Sequence, residues 1–267
     1  MNNHRPIGIF DSGVGGLTVL KAIEQILPFE KLLYLGDTAQ APYGPRSPEK
    51  ITQLSIQNTL FLQKFKIKLL VVACNTASAF ALQTLKLRFK SFPVVDVISP
   101  GSKFALAKTQ NFRIGIIGTI GTISSQAYPR TLHQLSNKIK IFQKSCPLFV
   151  PLVEEGWLNH PVTRLVAKDY IRGLKKTKID TLIMGCTHYP LLKQAIRGVL
   201  GSKVHLVDSA SATAQEIKSI LRQLNLLSSE TRKMSADYFV TDHPDRFIRV
   251  GSIFLGKKIK HVDKIRL

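Results

Sequence analysis

Long apolar runs, cysteines and acidic residues are all scarce in this chain of 267 residues. Charged residues interrupt the apolar runs well before the roughly 20 residues that a membrane-spanning helix requires, so we expect no association with a membrane. The three cysteines lie too far apart to form the disulfide framework of a small secreted protein, and the first residues lack the pattern of a secretory leader, so we expect none. These absences predict a reduced protein of the cytoplasm.

The shortage of acidic residues leaves a large positive charge, because 38 Lys and Arg face only 17 Asp and Glu, giving +21. A field of this sign attracts anions, so binding to nucleic acid or another polyanion is one hypothesis for the chain. The lysines are scattered, however, and no recognisable nucleic-acid motif contains them. A solvated basic surface explains the same composition.

Short apolar runs alternate with stretches of helical periodicity. The apolar runs, which are typical of parallel strands buried on both faces, lie at 7–10, 32–35, 69–73, 94–98, 114–117, 181–184 and 204–207. The intervening stretches, such as the one after residue 16, repeat apolar residues at helical spacing. The alternation predicts an α/β fold in which helices cover both faces of parallel sheets.

The spacing between the first and third apolar runs is similar to that between the fifth and sixth, which indicates a weak internal repeat. We therefore predict two similar, pseudo-symmetric α/β domains with the active site at their interface. Ser-Pro-Gly at 99–101 is interpreted as a turn between them, and a second boundary is placed near 207–209. The first domain is then discontinuous, covering 1–98 plus 208–267, and the second covers 99–207.

The glycine-rich turn after the first apolar run does not have the spacing of a dinucleotide-binding loop. Gly13, Gly15 and Gly16 precede a helix whose first amide groups could still hold a carboxylate. The stretch at 251–258 imitates a phosphate loop, but Lys258 occupies the position that requires Ser or Thr. The glycines thus favour a small anion over a nucleotide.

Two segments, at 71–76 and 183–188, each end an apolar run in a cysteine followed by small polar side chains. Ligands of α/β proteins bind outside the carboxyl ends of parallel strands, so we expect Cys74 and Cys186 to face each other across one site. A zinc site is the alternative, with His188 as third ligand. These residues lack the paired C-x-x-C spacing of a specific zinc motif, so no metal is predicted.

Opposed thiols suit the inversion of an amino-acid stereocentre, because one can remove the α-proton while the other returns a proton to the opposite face. Such a site also needs donors for the substrate carboxylate and charged groups that tune the thiols. The candidates are Ser12, Asn75, Thr76 and Thr187 as donors, and Asp11, Asp37, Glu154 and His188 as acids or bases. Structural roles remain open for Asp11 as a helix cap, for Asp37 in its loop and for His188.

Six motifs occur in the order and at the spacing of a known family. They are IFDSGVGG at 9–16, YLGD at 34–37, PYG at 42–44, ACNTA at 73–77, PLVE at 151–154 and GCTHYP at 185–190. In these motifs the chain resembles the glutamate racemases of the aspartate/glutamate racemase superfamily. The resemblance implies an enzyme without a cofactor that makes D-glutamate for peptidoglycan in a bacterial cytoplasm, its substrate enclosed by two α/β domains.

The resemblance also assigns roles to individual residues. It implies that Cys74 takes the α-proton from D-glutamate and Cys186 from L-glutamate, and that Asp11 assists the former and His188 the latter. Asp37 and Glu154 become supporting acids, although Glu155 adjoins Glu154 and is an alternative. The implied substrate contacts are Asp11, Ser12, Tyr43, Gly44, Asn75, Thr76, Thr187 and His188.

Substrate, assembly and partners stay partly open. Aspartate racemase or a related isomerase is the alternative function, because the sequence does not reveal the length of the substrate side chain. A homodimer is the expected assembly. Some family members also bind DNA gyrase or respond to a peptidoglycan precursor, but no residue here carries either property over, and only the net charge suggests a nucleic-acid partner.

Overall fold

Two parallel β-sheets organise residues 3–267, the part of the chain that the computed structural model describes. In chain order the strands are β1 (Ile7–Asp11), β2 (Leu32–Gly36), β3 (Leu69–Val72), β4 (Val94–Asp96), β5 (Arg113–Gly118), β6 (Lys140–Ser145), β7 (Thr181–Gly185), β8 (His205–Val207), β9 (Asp237–Val240) and β10 (Asp263–Lys264). Within the described residues, the first sheet has the order β10-β9-β2-β1-β3-β4 and the second β6-β5-β7-β8. The predicted α/β class is confirmed.

Helices connect the strands and cover the sheets. They are α1 (Leu17–Ile26), α2 (Pro48–Gln63), α3 (Asn75–Arg88), α4 (Ile98–Lys108), α5 (Ile120–Ser124), α6 (Ala127–Leu135), α7 (Phe149–Glu154), α8 (Pro161–Lys176), α9 (Lys193–Leu200), α10 (Ser209–Gln223) and α11 (Pro244–Leu255). Every strand pairing is parallel, so the carboxyl ends of neighbouring strands meet at one edge of each sheet. Across residues 3–267, no helix is long and apolar enough to cross a bilayer.

Burial differs among the strands of the two sheets. All five residues of β1 and of β7 are buried, as the apolar runs predicted. In β6, by contrast, no residue is fully buried, and polar side chains interrupt its apolar pattern. The apolar runs therefore identified seven strands, including the edge strands β4 and β8, and missed β6, β9 and β10.

The prediction of a turn at 99–101 is wrong, because these residues lie in a helix, and so is the predicted extension of a strand to residue 98. Strand β4 ends at Asp96, whose carboxylate accepts hydrogen bonds from the backbone N–H groups of Ile98 and Ser99, both at 2.7 Å. These bonds begin α4, so the Ser-Pro-Gly triplet forms its first turn. Proline is tolerated there because the first amides of a helix have no intrahelical acceptor.

A buried ion pair joins the start of β3 to the C-terminal part of the chain. Lys68 Nζ lies 2.6 Å from Glu30 Oε2, and the two side chains are 0% and 3% exposed. The ammonium also donates to the carbonyl oxygen of Leu226 at 2.7 Å, while Glu30 accepts from the backbone N–H of Ser228 at 2.8 Å. The pair thereby attaches the segment after α10 to the first sheet.

We expect Lys68→Met to lower the free energy of unfolding by about 3–5 kcal/mol, because it leaves the Glu30 carboxylate buried without its cation. The double variant Lys68→Met/Glu30→Gln should recover part of this loss, and exposed Lys90→Met should be close to wild type. Chemical denaturation measures all three variants. A wild-type stability for Lys68→Met would contradict the assigned role.

Candidate active site

Both cysteines of the two repeated segments lie at strand ends. Cys74 follows β3 and is the N-terminal capping residue of α3, and Cys186 follows the last residue of β7. The carboxyl edges of the two sheets face each other, and both thiols line one cavity of about 320 Å³ between them. The tertiary structure thus brings together two side chains that are separated by more than a hundred residues in sequence.

Ten of the twelve candidate site residues line this cavity: Ser12, Tyr43, Gly44, Cys74, Asn75, Thr76, Glu154, Cys186, Thr187 and His188. The other two, Asp11 and Asp37, are buried behind its wall. The third cysteine, Cys146, is buried away from the cavity, and its thiol faces the carbonyl oxygen of Lys144 at 3.7 Å.

His188 and Glu154 support the Cys186 side of the cavity. His188 Nδ1 lies 3.8 Å from the Cys186 sulfur, and Nε2 lies 3.1 Å from Glu154 Oε1. Burial lowers the pKa of His188, but its hydrogen bonds with Cys186 and Glu154 outweigh burial and raise that pKa to about 10. At neutral pH the imidazole is therefore protonated, and both ring nitrogens act as donors.

Glu154, rather than its neighbour, is the carboxylate that reaches the site. Burial raises the pKa of Glu154, but the hydrogen bond and charge of His188 and the charge of Arg246 more than offset burial and lower the pKa. The Glu155 side chain is 67% exposed and lies 3.8 Å from Arg246. Of the two neighbouring carboxylates, Glu154 is the one that lines the cavity.

The Cys74 side has a different electrostatic character. Burial, followed by the negative charge of Asp11, raises the pKa of the Cys74 thiol to about 12, so the thiol keeps its proton at neutral pH. Its sulfur lies 3.8 Å from Ser12 Oγ. Asp11 is fully buried and accepts from the backbone N–H of Gly13 at 2.9 Å. Burial also raises the pKa of Asp11.

Asp37 acts on the cavity through Tyr43. The Tyr43 hydroxyl donates to Asp37 Oδ2 at 2.6 Å and accepts from Asn58 Nδ2 at 2.9 Å. Thr241 donates to the second carboxylate oxygen of Asp37 at 2.9 Å. The carboxylate therefore fixes the position of the Tyr43 ring, which lines the cavity.

Hydrogen bonds between segments that belong to the two sheets close another part of the cavity wall. Asn75 Nδ2 donates to the Tyr128 hydroxyl at 2.8 Å, and the Thr76 and Thr119 hydroxyls lie 2.9 Å apart. Sequence reasoning missed Thr119, although it follows β5 as Ser12 follows β1, so the internal repeat contains a signal for it. Arg246 on α11 was also missed, and no motif marks it.

The glycine turn after β1 permits close approach of the two halves of the molecule. A Cβ at Gly15 would lie 2.1 Å from Thr187 Oγ1 and 2.6 Å from His188 Nδ1, both beyond the end of β7. The Tyr34 hydroxyl donates to the carbonyl oxygen of Gly13 at 2.8 Å and holds the turn in place. These glycines therefore serve close packing at the cavity.

Metal-ligating side chains are not grouped at this site. Among residues 3–267, no set of three or more His, Cys, Asp or Glu side chains is arranged to hold a metal ion. Cys74 and Cys186 are both free thiols. The site thus offers two thiols, an imidazolium, buried carboxyl groups and several hydroxyl donors, a set suited to moving protons.

Comparisons with known proteins agree with this geometry. Residues 7–217 match the Asp/Glu/hydantoin racemase family. Glutamate racemase from Geobacter metallireducens is 50% identical over 263 residues, covering 98% of this chain and 97% of that relative. A crystal structure of a Bacillus anthracis glutamate racemase superposes with a TM-score of 0.96 at 39% identity, covering 100% and 99% of the two chains. The Francisella tularensis enzyme, in complex with D-glutamate, gives 0.93 at 37% identity over 99% and 98%. This chain therefore belongs to the Asp/Glu/hydantoin racemase family and, within it, to the glutamate racemases.

Proposed function

We propose that this chain is a glutamate racemase that interconverts L- and D-glutamate by proton transfer between two thiols, without a cofactor. The observation that carries this proposal is the convergence of Cys74 and Cys186 on one cavity, each from a different sheet. Relatives at 41–50% identity over nearly the whole chain are named glutamate racemases, which supports glutamate as the substrate. The D-glutamate formed would serve peptidoglycan synthesis.

In the proposed reaction, one sulfur removes the α-proton and the other protonates the opposite face. With L-glutamate, Cys186 acts as the base and the Cys74 thiol as the acid, and the roles reverse with D-glutamate. Protonated His188 donates to Cys186 and stabilises negative charge on its sulfur. The raised pKa of Cys74 keeps a proton on the second sulfur. The pair thus has a protonated thiol on the Cys74 side and a hydrogen-bond donor at the sulfur on the Cys186 side.

The polar lining provides donors for the substrate carboxylates. Ser12, Thr76, Thr187 and Asn75 present hydroxyl or amide groups to the cavity, and Tyr43 and Gly44 form another part of its wall. Donors held in place before the reaction can stabilise the charge that develops when the α-proton leaves. Asp11 lies behind the Cys74 side, where its charge acts on that thiol.

We further propose a domain division that follows the sheets, with 1–98 and 208–267 forming one domain and 99–207 the other. Three free cysteines and bacterial relatives favour the bacterial cytoplasm. A homodimer is the assembly we expect, since closed twofold symmetry is the commonest for soluble enzymes. A nucleic-acid partner has no support beyond the charge of +21.

The substrate is tested by following optical rotation with purified protein and no added cofactor. We expect racemisation of L-glutamate, and much slower turnover of L-aspartate, because the relatives of high identity are glutamate racemases. Equal or faster turnover of aspartate would favour the alternative function.

The two-thiol mechanism is tested by Cys74→Ser and Cys186→Ser. A serine hydroxyl is a much weaker acid than a thiol, so we expect either change to reduce kcat by about 10²–10⁴-fold. Cys146→Ser is the matched control, because that buried thiol lies outside the cavity, and it should keep wild-type activity. Wild-type turnover by either cavity variant would reject the mechanism.

The coupling of His188 to Glu154 predicts a pH-dependent stability. The pKa of His188 is about 10, above its ordinary 6.5, so its protonation stabilises the fold fully below pH 6.5, and this contribution is lost as pH rises through 10. Glu154→Gln removes one cause of the raised pKa. Wild type should therefore exceed this variant in stability most near pH 6 and progressively less toward pH 10, measured by denaturation. Glu155→Gln, which alters an exposed carboxylate, should show no such trend.

A further inference from the structure

Arg246 is a cation at the cavity that the proposed reaction has not used. It lies on α11, which follows β9 of the first sheet, yet its guanidinium reaches Glu154 on α7, which follows β6 of the second sheet. Arg246 Nη2 lies 3.2 Å from Glu154 Oε2. Arg246 also lines the cavity that contains both thiols. This ion pair therefore spans the two halves of the molecule beside the site.

The two oxygens of Glu154 are divided between two partners. Oε1 accepts from His188 at 3.1 Å, and Oε2 accepts from Arg246 at 3.2 Å. His188 in turn contacts the sulfur of Cys186. A carboxylate bonded on both oxygens is restrained in rotation, so Arg246 restrains the acceptor that orients the His188 ring.

The Cys74 side has no equivalent of this arrangement. In the described part of the chain, the basic side chains that line the cavity are His188 and Arg246, and both lie in the chain of contacts that ends at Cys186. The carboxyl group of Asp11 accompanies Cys74 instead. The connection to Arg246 therefore concerns one of the two thiols.

We propose that Arg246 is a positioning residue for the Cys186 half of the reaction, holding Glu154, and through it His188, from across the interface of the two sheets. This inference rests on the proposed function, since it assigns a role within that reaction. The Arg246 side chain is 52% exposed. Because solvent screens a pair this exposed, it adds little to the stability of the fold, and its effect is on the orientation of Glu154.

The test compares Arg246→Gln with Arg246→Lys and with the matched control Arg249→Gln, an exposed arginine one turn further along α11. We expect Arg246→Gln to reduce kcat/KM about tenfold, with much of the loss in kcat. The acid limb of its pH profile should move to higher pH, because Glu154 loses a cation that helps to lower its pKa. Arg246→Lys should move the acid limb part of the way back to its wild-type position. Arg249→Gln should have the kcat/KM and the pH profile of the wild type.

A second readout separates this inference from the proposed function. Nuclear magnetic resonance titration of the Glu154 carboxyl group needs no activity, and we expect a higher pKa for it in Arg246→Gln than in wild type. A wild-type protein that does not racemise glutamate would refute the proposed function, whereas an unchanged Glu154 titration would refute the pairing. An active Arg246→Gln with raised KM alone and a wild-type pH profile would show that Arg246 merely attracts the substrate, and would overturn the positioning role.

Discussion

The facing carboxyl edges of two parallel sheets are the constraint on which the rest of this structure depends. Each sheet places a cysteine where a strand ends, so a cavity with thiols from both halves arises only if the two edges meet. Close contact across the interface maintains that arrangement, with Gly15 packed against Thr187 and His188, and with the backbone N–H of Gly121 donating to the carbonyl oxygen of Gly44 at 3.0 Å.

The two halves of the molecule are built alike, but the charged groups around their two cysteines differ. Cys74 is buried near the carboxyl group of Asp11, and its thiol is held protonated. Cys186 contacts a protonated imidazole whose second nitrogen is bonded to Glu154. A racemase must present a base on one face of its substrate and an acid on the other, and the two cysteines of this cavity have the different surroundings that such a division of roles requires.

Near the cavity, charge acts through a few side chains at specific positions. The cavity gathers few charged side chains, and those that matter are arranged in a short series from Arg246 through Glu154 to His188. Lys68 shows a different use of charge, because its buried pair with Glu30 attaches the C-terminal segment to the first sheet. In both cases the position of a charge decides its effect.

The sequence by itself determined the α/β class, seven of the strands and the two thiols, because buried parallel strands occur as short apolar runs and reactive groups follow their ends. It could not place the start of α4. Residues 99–101 have the composition of a turn, but hydrogen bonds from backbone N–H groups to the Asp96 carboxylate begin a helix there. Only the tertiary structure distinguished Glu154 from Glu155 and brought Arg246 to the cavity. Packing between segments that are distant in the chain decides which of two adjacent side chains points inward and what lies opposite it. The residues next to each side chain in the sequence do not reveal that packing.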